Sequence, residues 1–194
     1  QTDFLPVRFD FNAADGFHRA HIIKDEHGVK TVQLKMKDVT GIDKYERLSG
    51  VNVPSAGYFL DTGTRHYVRF VEGVDSYDIV KEGRVIRTKG RELEPVGANV
   101  NFVEPIGEGE IKVCTYEKGV EDETFACGTG IVASCIAAYN AGMRPSGCLE
   151  SGCVRYDVKA KRDMLSVDFI PNNNMTAQDV WLTGPATYVA EIIV

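Results

Sequence analysis

Apolar residues in the opening third recur at every second position or in short clusters, and polar turns cut them apart. Residues 4–11 (FLPVRFDF), 18–23 (HRAHII) and 29–36 (VKTVQLKM) are three such stretches, separated by NAADG and KDEHG. Alternation of period two between breaks rich in Asn, Asp and Gly predicts two or three antiparallel strands. Residues 38–57 lose the pattern. Gly41, Gly50, Pro54 and Gly57 punctuate them, so they read as a loop with one helical turn and as a place for a domain boundary.

GYFLDTG and HYVRFVE then predict two strands around the tight sequence Gly63-Thr64-Arg65-His66, a turn that would present side chains from strand ends. In SYDIVKEGRVIRTKG, residues Ile79, Val80, Gly83 and Ile86 fall at helical spacing; Ser76 offers an N-cap and Gly90 lies beyond the end, which predicts a short surface helix. ANVNFVEP and EIKVCTYEKG return to strands. IVASCIAAYNAG is small and apolar on nearly all sides and ends at Asn140-Ala141-Gly142, as a helix buried all round would. CVRYDVKA, MLSVDFI, DVWLTG and ATYVAEIIV finish the chain as strands, with Asn172-Asn173-Asn174 as a polar turn. Many antiparallel strands around one very apolar helix, with a second helix outside, imply an α+β fold built about a central helix rather than an alternating βαβ fold.

Composition narrows the function. At 194 residues and 43% hydrophobic content the chain can bury a core, and 22 basic against 28 acidic residues give a formal charge of −6, which disfavours nucleic acid as a partner. No apolar run approaches the length of a bilayer span, and QTDFLPVRFDF lacks the sections of a signal peptide, so no membrane partner and a cytoplasmic location are expected. Cysteines stand at 114, 127, 135, 148 and 153, an odd number in a chain too large to need disulfide staples, which predicts reduced thiols. The pair in CLESGC has no second matching pair. No metal is expected there, and Cys148 and Cys153 read as residues of a turn and the strand after it.

The segment EDETFACGTG, residues 121–130, puts Cys127 between an acidic stretch and a Gly-Thr-Gly turn that opens the apolar helix. A thiol in that position meets unpaired backbone N–H groups and the positive end of the helix dipole, both of which favour the thiolate. The same N–H groups, unobstructed at Gly128 and Gly130, can hold a carboxylate. A structural reading stands beside this one: free cysteine is among the most buried residue types, and ACGTG also suits a tight entry into a core helix. Carboxylates at 121 to 123 would raise the thiol pKa unless they point elsewhere. Spacing alone leaves both readings open.

YEKGVEDETFACGTG, together with GTRH, GANVNF and the late LTGPATYV, resembles the carboxy-terminal two-thirds of the diaminopimelate epimerases, amino-acid epimerases of lysine and cell-wall biosynthesis that use no cofactor. The resemblance implies a two-cysteine mechanism, in which one thiolate removes the α-proton and a thiol on the opposite face returns one. It assigns Cys127 to that pair and the amides of Gly128, Thr129 and Gly130 to the substrate carboxylate. It also implies that Asn99 hydrogen-bonds the far end of the substrate, that Glu117 pairs with an ammonium group, and that His66 lies close to the reactive sulfurs. Taken singly, Asn99 reads equally as a turn residue, Glu117 as a solvated strand end and His66 as a satisfied edge histidine. The family's GNPH turn carries Thr64 and Arg65 in place of its Asn and Pro, and Lys118 stands where the family has arginine. A lysine gives a single charged contact to a distal carboxylate, without the bidentate grip of arginine. Those departures keep two alternatives in view: a related racemase or isomerase with another substrate, and a non-catalytic binding domain that retains the fold.

The family has two similar domains, each a β-barrel-like antiparallel sheet around a central helix, with the active site between them. On that template residues 38–181 form the complete carboxy-terminal domain, while 1–37 and 182–194 are remnant strands of the amino-terminal one. The family's other cysteine belongs to a CGNG-type helix start; no such motif precedes Phe4, and Cys114, Cys135, Cys148 and Cys153 lack its context. Self-association, or a separate amino-terminal fragment, is therefore expected to cover the exposed strand edges.

Overall fold

The computed structural model describes residues 6–14, 16–148 and 152–191. Thirteen strands form one sheet: β1 (Val7–Ala13), β2 (Gly16–Glu26), β3 (Val29–Lys35), β4 (Ile42–Tyr45), β5 (Gly57–Asp61), β6 (Arg65–Phe70), β7 (Asn99–Gly107), β8 (Glu110–Glu117), β9 (Asp122–Thr124), β10 (Gly147–Cys148), β11 (Val154–Lys159), β12 (Met164–Asn172) and β13 (Thr176–Thr187). Two α-helices, α1 (Ile79–Lys89) and α2 (Gly128–Asn140), complete the architecture. The sheet runs β1-β2-β3-β13-β12-β11-β8-β7-β6-β5-β4, with β9 on β8 and β10 on β11. It stays open, with β1 and β4 as its edges, so the expected barrel-like closure is not made among the described residues.

Two pairings depart from the expected antiparallel pattern. β6 pairs with β7, and β8 with β11, in parallel. A parallel pair needs a long crossover, and each crossover here contains a helix: α1 between β6 and β7, α2 between β8 and β11. The two helices pack on opposite faces of the central strands. Alternate side chains show this: Val100 and Phe102 of β7, with Cys114 and Tyr116 of β8, join the core cluster of α1, whereas Val103, Ile111 and Val113 join that of α2.

The apolar sequence of α2 has its expected consequence, since every residue from 130 to 138 is buried. The helix touches β5, β6, β7, β8, β12 and β13. It ends where expected: Gly142 takes φ 86°, its N–H donates to the Tyr139 carbonyl at 2.9 Å, and the Met143 N–H donates to that of Ala138 at 3.1 Å. The start of α1 differs from expectation. Asp78 is the N-cap, accepting the Lys81 N–H at 3.1 Å, while Ser76 sits in a preceding 3-10 turn and donates its hydroxyl to the Gly73 carbonyl.

Residues 38–57 contain the edge strand β4 instead of a helical turn. The segments DVWLTG and ATYVAEIIV, expected as separate strands, share one strand that ends at Thr187; residues 188–191 are not strand, and 192–194 lie outside the described residues. Pro185 is tolerated there because β12 pairs with β13 only as far as Thr183, leaving β3 as the single neighbour. The first strand is described from Val7, and the turn in CLESGC falls partly outside the described residues. Among those residues no helix is long and apolar enough to cross a membrane.

Gly83 lets α1 lie directly on β8, because a Cβ added there would sit 2.5 Å from the Cβ of Tyr116, whereas at Gly41 it would meet nothing within 4 Å. Gly83→Ala is expected to lower stability by about 2 kcal/mol and Gly41→Ala by no more than about 0.5 kcal/mol, as read by urea denaturation.

Candidate active site

The turn before α2 places Cys127 as the residue that caps the helix in extended conformation (φ −120°, ψ 106°). Its carbonyl accepts the Ile131 N–H at 2.8 Å, which leaves the N–H groups of Gly128, Thr129 and Gly130 without intrahelical partners. Cys127 lines a cleft of about 480 Å³ together with Thr64, Asn99, Glu117, Lys118 and Thr129. Strand ends from β6, β7 and β8 thus converge on the helix start. A larger cleft of about 740 Å³, bordered by β2 and β3, reaches this site only through Gly63, Thr64 and Thr129. The smaller one is the chemically relevant cavity because it holds the thiol.

Opposed influences act on that thiol. Burial pushes the Cys127 pKa up from its ordinary value, and the charge of Glu117 adds to the rise. The hydroxyl of Thr129, 3.4 Å from the sulfur, and the N–H groups of Gly130 and Thr129 pull it down but do not prevail. The helix start therefore favours the thiolate as expected, while desolvation outweighs it and keeps the resting sulfur protonated. The carboxylate that opposes ionisation is Glu117, where the sequence pointed to 121–123. Glu121 is turned away and pairs with Arg87 at 2.8 Å, and Glu123 pairs with Lys161 at 2.8 Å.

His66 lies behind the cleft and is fully buried. Burial pulls its pKa down to about 4, against a smaller opposing effect of the Asp61 charge, so the ring is neutral. Its Nε2 is 2.9 Å from Thr64 Oγ1 and 3.0 Å from Thr129 Oγ1, and those two hydroxyl oxygens are 3.0 Å apart. On its other side Nδ1 is 3.0 Å from the Asn101 side-chain amide. The Thr62 hydroxyl donates to the Thr129 carbonyl at 2.9 Å and ties the turn to the helix start. Asn99 accepts the Lys118 N–H at 2.8 Å and orders the stretch that carries Glu117 and Lys118.

All the residues singled out from the sequence are near this cleft, but not in one layer. Thr64, Asn99, Glu117, Lys118, Cys127 and Thr129 line it, His66 reaches it through two threonine hydroxyls, and Gly128 and Gly130 contribute backbone at the first helical turn. Sequence reasoning missed Asn101, Thr115 and Thr62. Asn101 did leave a signal: in the strand Asn99–Gly107 it is a polar residue on the face where the pleat sends Val103 into the core.

The fold is that of known amino-acid racemases and epimerases. A solved hydroxyproline epimerase from Agrobacterium vitis superposes with TM-score 0.68 at 16% identity, covering 97% of this chain and 58% of that one. A Bacillus anthracis phenazine biosynthesis protein of the PhzF family gives TM-score 0.60 at 11% identity over 95% of this chain and 66% of that one. The family model of diaminopimelate epimerase matches residues 58–160, the region that contains the whole cleft. The diaminopimelate epimerase of Flavobacterium psychrophilum is 33% identical over 98% of this chain, and that of Aquifex aeolicus is 41% identical over 70% of it. The chain belongs to the diaminopimelate epimerase family. It spans 66% of the length of the Flavobacterium relative, and the match to the Aquifex one covers 44% of that protein.

A Cβ added at Gly130 would lie 2.5 Å from Asn101 Oδ1 and 3.2 Å from the His66 ring. Gly130→Ala is expected to cost about 2 kcal/mol in urea denaturation and to slow alkylation of Cys127. The neutral, buried His66 also fixes a pH dependence. Its folded pKa lies below the unfolded value of 6.5, so its contribution to stability is complete above about pH 6.5 and is lost as pH falls towards 4. Between pH 7.5 and 4.5, wild-type stability should fall by roughly 2 kcal/mol more than that of His66→Gln, measured by urea denaturation at each pH.

Proposed function

We propose that this chain supplies the Cys127 half of a cofactor-independent epimerase that interconverts LL- and meso-diaminopimelate, in the supply of lysine and cell-wall precursors. The observation that carries this reading is the Cys127 sulfur at the mouth of α2, in one cleft with Asn99, Glu117 and Lys118. Cys127 transfers the α-proton on its face of the substrate. The negative charge that develops on the α-carboxylate meets the N–H groups of Gly128, Thr129 and Gly130, which have no intrahelical acceptor. Asn99 and Lys118 hold the distal end, Lys118 as a single charged contact, and Thr64 helps to close the turn over the site.

Glu117 couples binding to ionisation. Its charge disfavours the Cys127 thiolate in the empty site, and pairing with the substrate ammonium removes that opposition. The base thus forms as the substrate arrives.

Inversion needs a second proton carrier on the opposite face, and among the described residues no other cysteine lines the cleft. In this reading residues 38–181 form the unit that carries Cys127, and 1–37 with 182–194 belong to the unit that brings the second thiol. The apolar side chains Val7, Phe9, Phe11 and Phe17, exposed on β1 and β2, suit an association that brings it, through a second copy or a separate polypeptide. A second reading, a relative with another substrate, is favoured by Lys118 in place of arginine and by Thr64 and Arg65 in the turn.

Incubation with LL-diaminopimelate in heavy water, followed by mass spectrometry and NMR, tests the proposal. The chain alone is expected to exchange the α-proton from one face, and Cys127→Ala to slow exchange by at least ~100-fold. Exchange with a monoamino acid but not with diaminopimelate would favour the second reading. Absence of exchange with any amino acid would refute the assignment.

A further inference from the structure

Asn101 and Thr115 stand opposite one another in the β7–β8 register, and neither lines the Cys127 cleft. Both are buried, Asn101 without any exposure. A side-chain amide in such a place has to find its partners inside the protein. The Thr115 hydroxyl donates to Asn101 Oδ1 at 2.8 Å, which turns the amide nitrogen towards His66 Nδ1 at 3.0 Å. An amide nitrogen can only donate, so Nδ1 accepts and carries no proton. The single ring proton of neutral His66 then resides on Nε2.

The consequence runs on to the sulfur. From Nε2 the proton is offered to Thr129 Oγ1 directly, or to Thr64 Oγ1, whose own hydroxyl then donates to Thr129. By either route Thr129 Oγ1 is an acceptor on the histidine side. Its hydroxyl proton is then free to point at Cys127 Sγ, 3.4 Å away. With the opposite tautomer Nε2 would be an acceptor that draws a hydroxyl proton from Thr64 or Thr129, and nothing would direct the Thr129 proton to the sulfur.

We infer that Asn101 and Thr115 are positioning residues for the acid/base chemistry: by fixing the Nε2–H tautomer of His66 they direct a one-way chain of donors, Thr115 to Asn101 to His66 to Thr129, onto the Cys127 sulfur. The inference rests on Cys127 being the proton-transfer group. The chain of donors works against burial and against Glu117 on β8. Asp61 at the end of β5 acts on His66, and Arg65 and Lys118 line the same cleft. None of these charges changes when Asn101 or Thr115 is replaced by an uncharged residue, so such variants isolate the tautomer.

Two measurements on the full chain test it, and neither requires turnover. Long-range proton–nitrogen NMR on protein with labelled histidine is expected to show His66 Nε2 protonated and Nδ1 bare; a proton on Nδ1 would overturn the inference without any variant being made. The rate of Cys127 alkylation against pH, followed by peptide mass spectrometry, reads the thiol. Thr115→Val, which frees the Asn101 amide to turn its Oδ1 towards His66 Nδ1, is expected to introduce the Nδ1–H form and to raise the thiol pKa by about one unit, which lowers alkylation at a fixed pH below that pKa about tenfold. Loss of stability alone, with the tautomer and the alkylation profile as in wild type, would reduce both residues to core packing and refute the inference. If the tautomer and thiol respond as expected but no amino acid exchanges its α-proton, the donor chain stands and the epimerase assignment fails.

Discussion

The close approach of the first turn of α2 to β6 and β7 is the constraint that organises this protein. At Gly130 the helix backbone meets the buried His66–Asn101 pair with no room for a side chain. That contact fixes where the helix begins, and hence where the Cys127 sulfur and the free N–H groups point. The rest of α2 is consistent with it. Alanines at 133, 137 and 138 and a serine at 134 let the helix sit deep among six strands, and the Ser134 hydroxyl is satisfied by donating to the Gly130 carbonyl at 2.7 Å.

Burying the helix start has an electrostatic consequence for the thiol. Dipole and amide donors favour a thiolate, but the same packing removes water from the sulfur, and desolvation prevails. A site of this kind is held in reserve. Its ionisation answers to groups that a ligand can neutralise, such as Glu117, and to donors that the protein can aim, such as Thr129. The hydroxyl and amide groups behind the cleft are rigid because each is a member of a buried network whose partners lie on adjacent strands.

Much of the secondary structure was legible in the residues. Period-two alternation marked most of the long strands, and the uniformly apolar run after Gly130 marked the buried helix. The misreadings have local causes. Ser76 lost the cap to Asp78 because a 3-10 turn intervenes, and β4 was hidden because a short edge strand needs little apolar periodicity. The parallel pairs could not be seen in any one strand, since direction depends on how the crossovers through α1 and α2 return the chain. Within the site, Cys127 and the glycines around it stood out through composition and spacing. Asn101 and Thr115 did not, because an Asn or Thr in a strand looks the same whether it meets water or a histidine.

By itself, then, the sequence determined the family, most of the strands, the buried helix and the cysteine at its entrance, all of which are encoded in local pattern and motif. Tertiary structure alone decided that, among the described residues, the sheet stays open with a helix on each face. It alone also decided that Glu117, and not the acidic run beside Cys127, bears on the thiol, and that His66 acts from behind two threonines. Those outcomes depend on burial and on partners brought together from β5 to β8 and α2, and such proximities exist only once the chain has folded.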